Sequence, residues 1–213
     1  MSTPAEPARD CPLCPRLVAY RARNAAENPD WFNGPAPSFG DPLGRLLVVG
    51  LAPGRTGANR TGRPFTGDYA GDLLYSTLLT YGFASGVYRA DPADGLTLSD
   101  AMITNAVRCA PPENKPTPAE ITVCNSFLAA RIAALEHLRV VIALGRIAHD
   151  AALKALGERP SRFAFAHGAE HPLAGGRVLI DSYHCSRYNT QTRRLTEAMF
   201  HAVFDRARLL CDR

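Results

Sequence analysis

The feature that most narrows the fold is a set of four short apolar runs, at 46–50, 102–107, 140–145 and 177–181. Each is followed by a loop or a helical pattern. Short apolar runs bounded by turn residues suit strands buried on both faces. Helical stretches are predicted at 13–26, 69–81, 147–156 and 191–210. A further helix starts at Thr117 as N-cap, with Pro118 at its first position and Glu120 closing a capping box, and runs to about residue 135. Strands alternating with helices predict an α/β fold with a mainly parallel sheet. No repeat, low-complexity tract or linker interrupts the 213 residues, so they read as one domain, with residues 1–10 a frayed Pro- and Ala-rich tail.

Composition removes several classes. With 46% hydrophobic and 21% charged residues, a disordered chain, a coiled coil and a collagen-like repeat are excluded. The apolar runs are too short to span a bilayer, and the opening MSTPAEPARD has no apolar core, so a cytoplasmic protein with no membrane partner is expected. A net charge of +4 permits a nucleic-acid partner without demanding one.

In such sheets, ligands bind beyond the carboxyl ends of the strands. The unusual residues lie in the loops at those ends. The segment GLAPGRTGANRTGRPFTGD, residues 50–68, is rich in glycine and arginine. Gly57 and Gly62 imitate P-loop spacing, but Arg63-Pro64 stand where Lys-Ser/Thr is required, so nucleotide hydrolysis is not expected. Phe65 offers either a stacking face or ordinary core packing. The second loop, HCSRYNTQTRRLT, holds His184, Ser186, Arg187, Asn189, Arg193 and Arg194 with no acid between them. It suits phosphate contacts near a helix N-terminus, or simply caps the last helix through Asn189 or Thr190.

The six cysteines are Cys11, Cys14, Cys109, Cys124, Cys185 and Cys211. Cys11 and Cys14 form a CxxC, Cys109 follows the second predicted strand, and Cys124 lies on the capped helix. Four thiolates hold a tetrahedral zinc or a cubane cluster. A zinc ribbon ordinarily has two local knuckles, and here one pair is local, which favours a [4Fe–4S] cluster over zinc or separate thiols. Cys185 beside His184 is not expected to act as a nucleophile, because adjacent side chains point apart.

These residues carry a resemblance that covers nearly the whole chain. Cys11/Cys14 with Cys109 and Cys124, GLAPG at 50–54 continuing through GANRTGRPFTGD, TNAVRCAPP at 104–112 and HCSRYN at 184–189 resemble the uracil-DNA glycosylase superfamily. Within it they resemble the iron–sulfur type B, or family 5, enzymes. The related family 4 typically has an acid where this chain has Leu51, and the superfamily's HPS is here HCS, with Cys185 for proline. The resemblance implies a three-layer α/β/α fold around a central, mainly parallel four-stranded sheet. It implies a monofunctional, monomeric glycosylase that removes uracil, and other deaminated bases such as hypoxanthine, from DNA and leaves an abasic site. The DNA would be double-stranded, with single strands left open. A [4Fe–4S] cluster would sit on Cys11, Cys14, Cys109 and Cys124.

The chemistry of that reaction fits the residues. A base must leave the stack to be reached. Phe65 would stack on it, Asn105 would read its edge, and Gly50, Leu51 and Ala52 would line the site. Ser186 and Asn189 would belong to the DNA-binding loop, and Arg187 or Tyr188 would fill the gap left in the duplex. His184 would stabilise charge on the departing base. Asp68 would position a water, or cap the helix starting at Tyr69, or do both. The alternatives are a non-catalytic DNA-damage binding iron–sulfur protein and a redox carrier.

Overall fold

A computed structural model describes residues 5–213. The first helix, α1 (Pro15–Glu27), leads through a short strand, β1 (Phe39–Gly40), into β2 (Leu46–Gly50). A brief α2 (Ala58–Thr61) and then α3 (Tyr69–Thr80) follow. The hairpin strands β3 (Ala84–Ser85) and β4 (Thr97–Leu98) precede β5 (Ala101–Asn105), α4 (Pro118–Ala134), β6 (Val140–Leu144) and α5 (Arg146–Ala155). The chain ends with β7 (Glu170–Pro172), β8 (Val178–Ser182), α6 (Arg187–Gln191) and α7 (Glu197–Cys211).

The predicted parallel strands form the centre of the sheet in the order β5-β2-β6-β8. Two short antiparallel strands extend it to six, β1 against β5 and β7 against β8. Both faces of β2 are buried, which is why its sequence is uniformly apolar. Leu46 and Val48 face α3 and α7, against Leu74, Leu78, Phe200 and Phe204. Leu47 and Val49 face α4 and α5, against Leu128, Ile132 and Ala148. The layers are therefore helix, sheet, helix. No helix among the described residues is long and apolar enough to cross a membrane.

Two expectations change. The helix predicted at 191–210 starts later, at Glu197, because Thr196 caps α7 by accepting from Met199 N, and a separate short helix, α6, capped by Ser186, precedes it and ends at Gln191. The tail expected at 1–10 is docked over the part described, while residues 1–4 lie outside it. Glu6 pairs with Arg108 at 2.9 Å and with Arg131 at 2.6 Å. Arg108 is only 1% exposed and also donates to the carbonyls of Ala5 and Ala36. A buried guanidinium holds its partners firmly, because leaving it unpaired is costly. The capping box at Thr117 forms as predicted, and Glu120 also binds Arg16 of α1, bracing α1 on α4.

Burial opposes ionisation of Glu6, but Arg108 together with hydrogen bonds from Ser38 and Arg131 outweighs it and holds the carboxyl below its usual range. Its contribution to stability is therefore present above the ordinary carboxylate pKa and is lost as pH falls through the lowered one. Glu6→Ala is expected to cost about 2 kcal/mol in urea unfolding at neutral pH. Glu27→Ala, which unpairs the exposed Arg55, should cost less than about 1 kcal/mol.

Candidate active site

The carboxyl ends of β2, β5, β6 and β8 open onto one cleft of about 820 Å³. It lies where successive strands depart to opposite sides of β2, the place where such sheets bind ligands. Leu51, Ala52, Phe65, Asp68, Asn105, His184, Ser186 and Arg187 all line it. Residues far apart in sequence thus meet as expected.

Gly50 sits at the centre of this group. A Cβ there would collide with Asn105 Oδ1 and with the Phe65 ring, so only glycine lets these two close over the end of β2. The Phe65 ring lies 5.9 Å from the His184 imidazole, nearly parallel at 29°. Asn105 is 3% exposed, and its Oδ1 has no hydrogen-bond partner. His184 Nδ1 is also sequestered without a partner. Leaving a buried polar atom unpaired costs roughly 1–3 kcal/mol, so two orphans in one cleft mark a site kept for a ligand. Desolvation pushes the His184 pKa down to about 4, so the imidazole is neutral at physiological pH.

Of the two roles considered for it, the structure shows Asp68 in that of the helix cap. Its side chain accepts from Gly71 N at 3.2 Å and caps α3, while its carboxyl lines the cleft. Burial raises its pKa despite that hydrogen bond. In the histidine loop, Ser186 accepts from Asn189 N, and Asn189 Nδ2 donates to His184 O at 2.8 Å. Asn189 therefore holds the loop and does not face the cleft. Arg187 packs over Tyr69 at the rim, and Tyr188 is 70% exposed beside it. Cys185 is buried and donates to Ala70 O, and burial pushes its thiol pKa far up, which agrees with its dismissal as a nucleophile.

Several contributors escaped the sequence reading. Tyr20 of α1, Gly145 with Arg146 and Ile147 at the start of α5, and the 111–114 turn also line the cleft. Beneath the histidine loop, Asp181 binds His149 Nδ1 at 2.7 Å and His171 Nε2 at 2.9 Å, all in the interior. This network fixes the end of β8 just before His184. Neither histidine stands in a recognisable motif, so only the fold reveals their meeting.

On the far side of α1, Cys11, Cys14, Cys109 and Cys124 line one small cavity with Leu17, Val107 and Phe127. Arg21 reaches Cys109 Sγ at 3.6 Å, and Arg108 N donates to Cys124 Sγ at 3.3 Å. Among the described residues, only His149, His171 and Asp181 bring three ligand atoms within 4.8 Å of one another.

Comparison with known proteins agrees with this geometry. Residues 37–208 match the model of the uracil DNA glycosylase superfamily. A type-5 uracil-DNA glycosylase of Thermus thermophilus is 49% identical over 94% of this chain and 93% of its own length. Those of Mycobacterium bovis and Pyrobaculum aerophilum are 42% and 41% identical, over 94% and 93% of this chain and 78% and 88% of their own lengths. A type-4 uracil-DNA glycosylase of Pyrobaculum aerophilum is more distant, at 32% over 83% of this chain and 78% of its own length. With these matches, the cleft around Gly50 and the histidine loop belong to a chain that is a member of the uracil DNA glycosylase superfamily.

Proposed function

We propose that this chain excises uracil from DNA by hydrolysing its glycosidic bond, leaving an abasic site without a lyase step. The observation that carries this reading is the meeting of the Phe65 ring, the unpaired Asn105 Oδ1 and the neutral His184 around Gly50, with Asp68 in the same cleft. An extruded base stacks on Phe65 and donates an imide N–H to Asn105 Oδ1. As the bond breaks, positive charge grows on the sugar and negative charge on the base. A neutral imidazole still donates one N–H, and His184 uses it to hold the departing base oxygen. Asp68 positions water for the sugar carbon. Arg187 and Tyr188 occupy the space left in the duplex. Hypoxanthine, which also presents a ring N–H and a carbonyl oxygen, is a second base for the same groups.

The four cysteines suit a [4Fe–4S] cluster. They share one small apolar cavity, and only one pair of them is local in sequence. The cluster, when bound, ties the N-terminal segment to β5 and α4, and hydrolysis itself requires no electron transfer. Burial raises the thiol pKa values of Cys14, Cys109 and Cys124, the last two to about 11 and 12, so ligation must stabilise thiolates that would otherwise stay protonated.

The direct test uses labelled duplex with one U·G pair, incubated in EDTA and then treated with alkali. Cleavage at the uracil is expected only after alkali, and His184→Ala should slow it by about 10²–10³. Retention on this duplex without base release would instead favour a damage-binding protein. The rate should show no inflexion near pH 6.5, because His184 is already neutral there. Activity should fall on the acid side through the raised pKa of Asp68, and Asp68→Asn should flatten that limb. A break near 6.5 that His184→Ala removes would contradict the neutral-donor reading. Cys109→Ser should abolish the brown colour and lower the Tm, whereas a stable, iron-free, active variant would overturn the cluster assignment.

A further inference from the structure

The residue that offers the stacking face sits on a backbone its own side chain disfavours. Residues 63–66 make a tight turn in which Thr66 N donates to Arg63 O at 3.2 Å. Pro64 is second in the turn and Phe65 third, with φ of 54°. Turns with proline second and positive φ third normally place glycine or asparagine there. A bulky residue persists in that conformation only when its surroundings over-determine it.

Here they do. The Tyr75 hydroxyl donates to Pro64 O at 2.7 Å, and the Tyr88 hydroxyl donates to Phe65 O at 3.1 Å. The two tyrosine rings stack with centroids 4.5 Å apart. The Arg63 guanidinium lies 5.3 Å from one ring centre and 5.7 Å from the other. Asp94 grips it through two bonds of 2.8 and 2.7 Å, with the Arg63 and Asp94 side chains only 5% and 0% exposed. Asp94 also accepts from the backbone N–H groups of Arg89 and Leu96, so the segment between β3 and β4 is drawn into the cage. On the other side, Gly71 leaves room that a Cβ would take from Phe65 O and the Tyr88 hydroxyl.

We propose that Tyr75 and Tyr88 are positioning residues that hold the Phe65 ring at the angle at which it stacks on the extruded base, with the Arg63–Asp94 pair as their rigid backing. This rests on the reading of Phe65 as the stacking platform. Neither tyrosine lines the cleft, so both act through the backbone of the 64–65 turn. Fixing the ring before the base arrives removes an ordering cost from binding. The clamp therefore acts on the affinity for the extruded base.

Tyr88→Phe tests this, because it removes one hydroxyl from a half-buried ring and leaves the ring stacking in place. The probe is a duplex carrying 2′-fluoro-2′-deoxyuridine, whose glycosidic bond resists hydrolysis. The cost of ordering a freed ring on binding predicts that Tyr88→Phe weakens binding to this duplex about three- to tenfold. Affinity for the undamaged duplex should stay unchanged, and the Tm should fall by no more than the few degrees that one lost hydrogen bond costs. Phe65→Ala should weaken binding more, and adding Tyr88→Phe to it should cost nothing further, since no ring remains to position. An unchanged affinity in Tyr88→Phe, or an equal loss with and without Phe65, would overturn the clamp. If Phe65→Ala itself has no effect, the platform reading falls, and the clamp's purpose falls with it.

Discussion

Four neighbouring strands run in the same direction with both faces covered by helices, and this arrangement confines the chemistry to one edge. Side chains within β2, β5 and β6 have no water to face, so almost all are apolar. Polar groups collect where the strands stop. Parallel pairing brings those ends together on one side, so Gly50, Asn105, Gly145 and His184 become neighbours although they are scattered along the chain. The cleft follows from strand direction, and the loops only decide what fills it.

That cleft holds its groups in states that water would not favour. His184 is kept neutral by lost hydration, and the carboxyl of Asp68 is pushed towards protonation by the same burial. Asn105 and His184 each hold a polar atom without a partner, and Phe65 sits in a turn position suited to glycine. These departures from local comfort lie within one site, and the surrounding core sustains them. The bracing differs from place to place: the Asp181 network lies under β8, Asn189 across the histidine loop, and the tyrosine cage behind Phe65.

Much of this was legible in the sequence, for physical reasons that also explain the omissions. The parallel strands announced themselves because burial on both faces demands continuous apolar runs. The α4 cap was readable because Thr117 and Glu120 satisfy each other within three residues. Edge strands β1 and β7 were not readable, since two or three residues carry no period and their pairing is decided by β5 and β8. The split between α6 and α7 was masked by polar residues that suit a helix as well as a turn. Residues that line the cleft were picked out through motifs at the strand ends, while the partners that hold them were not. His149, Tyr75 and Tyr88 look like ordinary core residues until the fold shows where their polar atoms end.

The docked N-terminal segment has a consequence for the order in which the molecule is built. Glu6 contacts Arg131 across 125 positions of sequence, and Arg16 contacts Glu120 across 104. The Cys11/Cys14 pair likewise meets Cys109 and Cys124 only once α4 is present. Glu6 and Arg9 find nearer partners at Ser38 and Phe32, but the ion pairs of Glu6 and Arg16 and the closing of the cysteine cavity wait for residues about a hundred positions further on. Closing so long a loop carries an entropic cost that local contacts do not, and the buried Arg108 pair and the packed cysteine cavity must offset it.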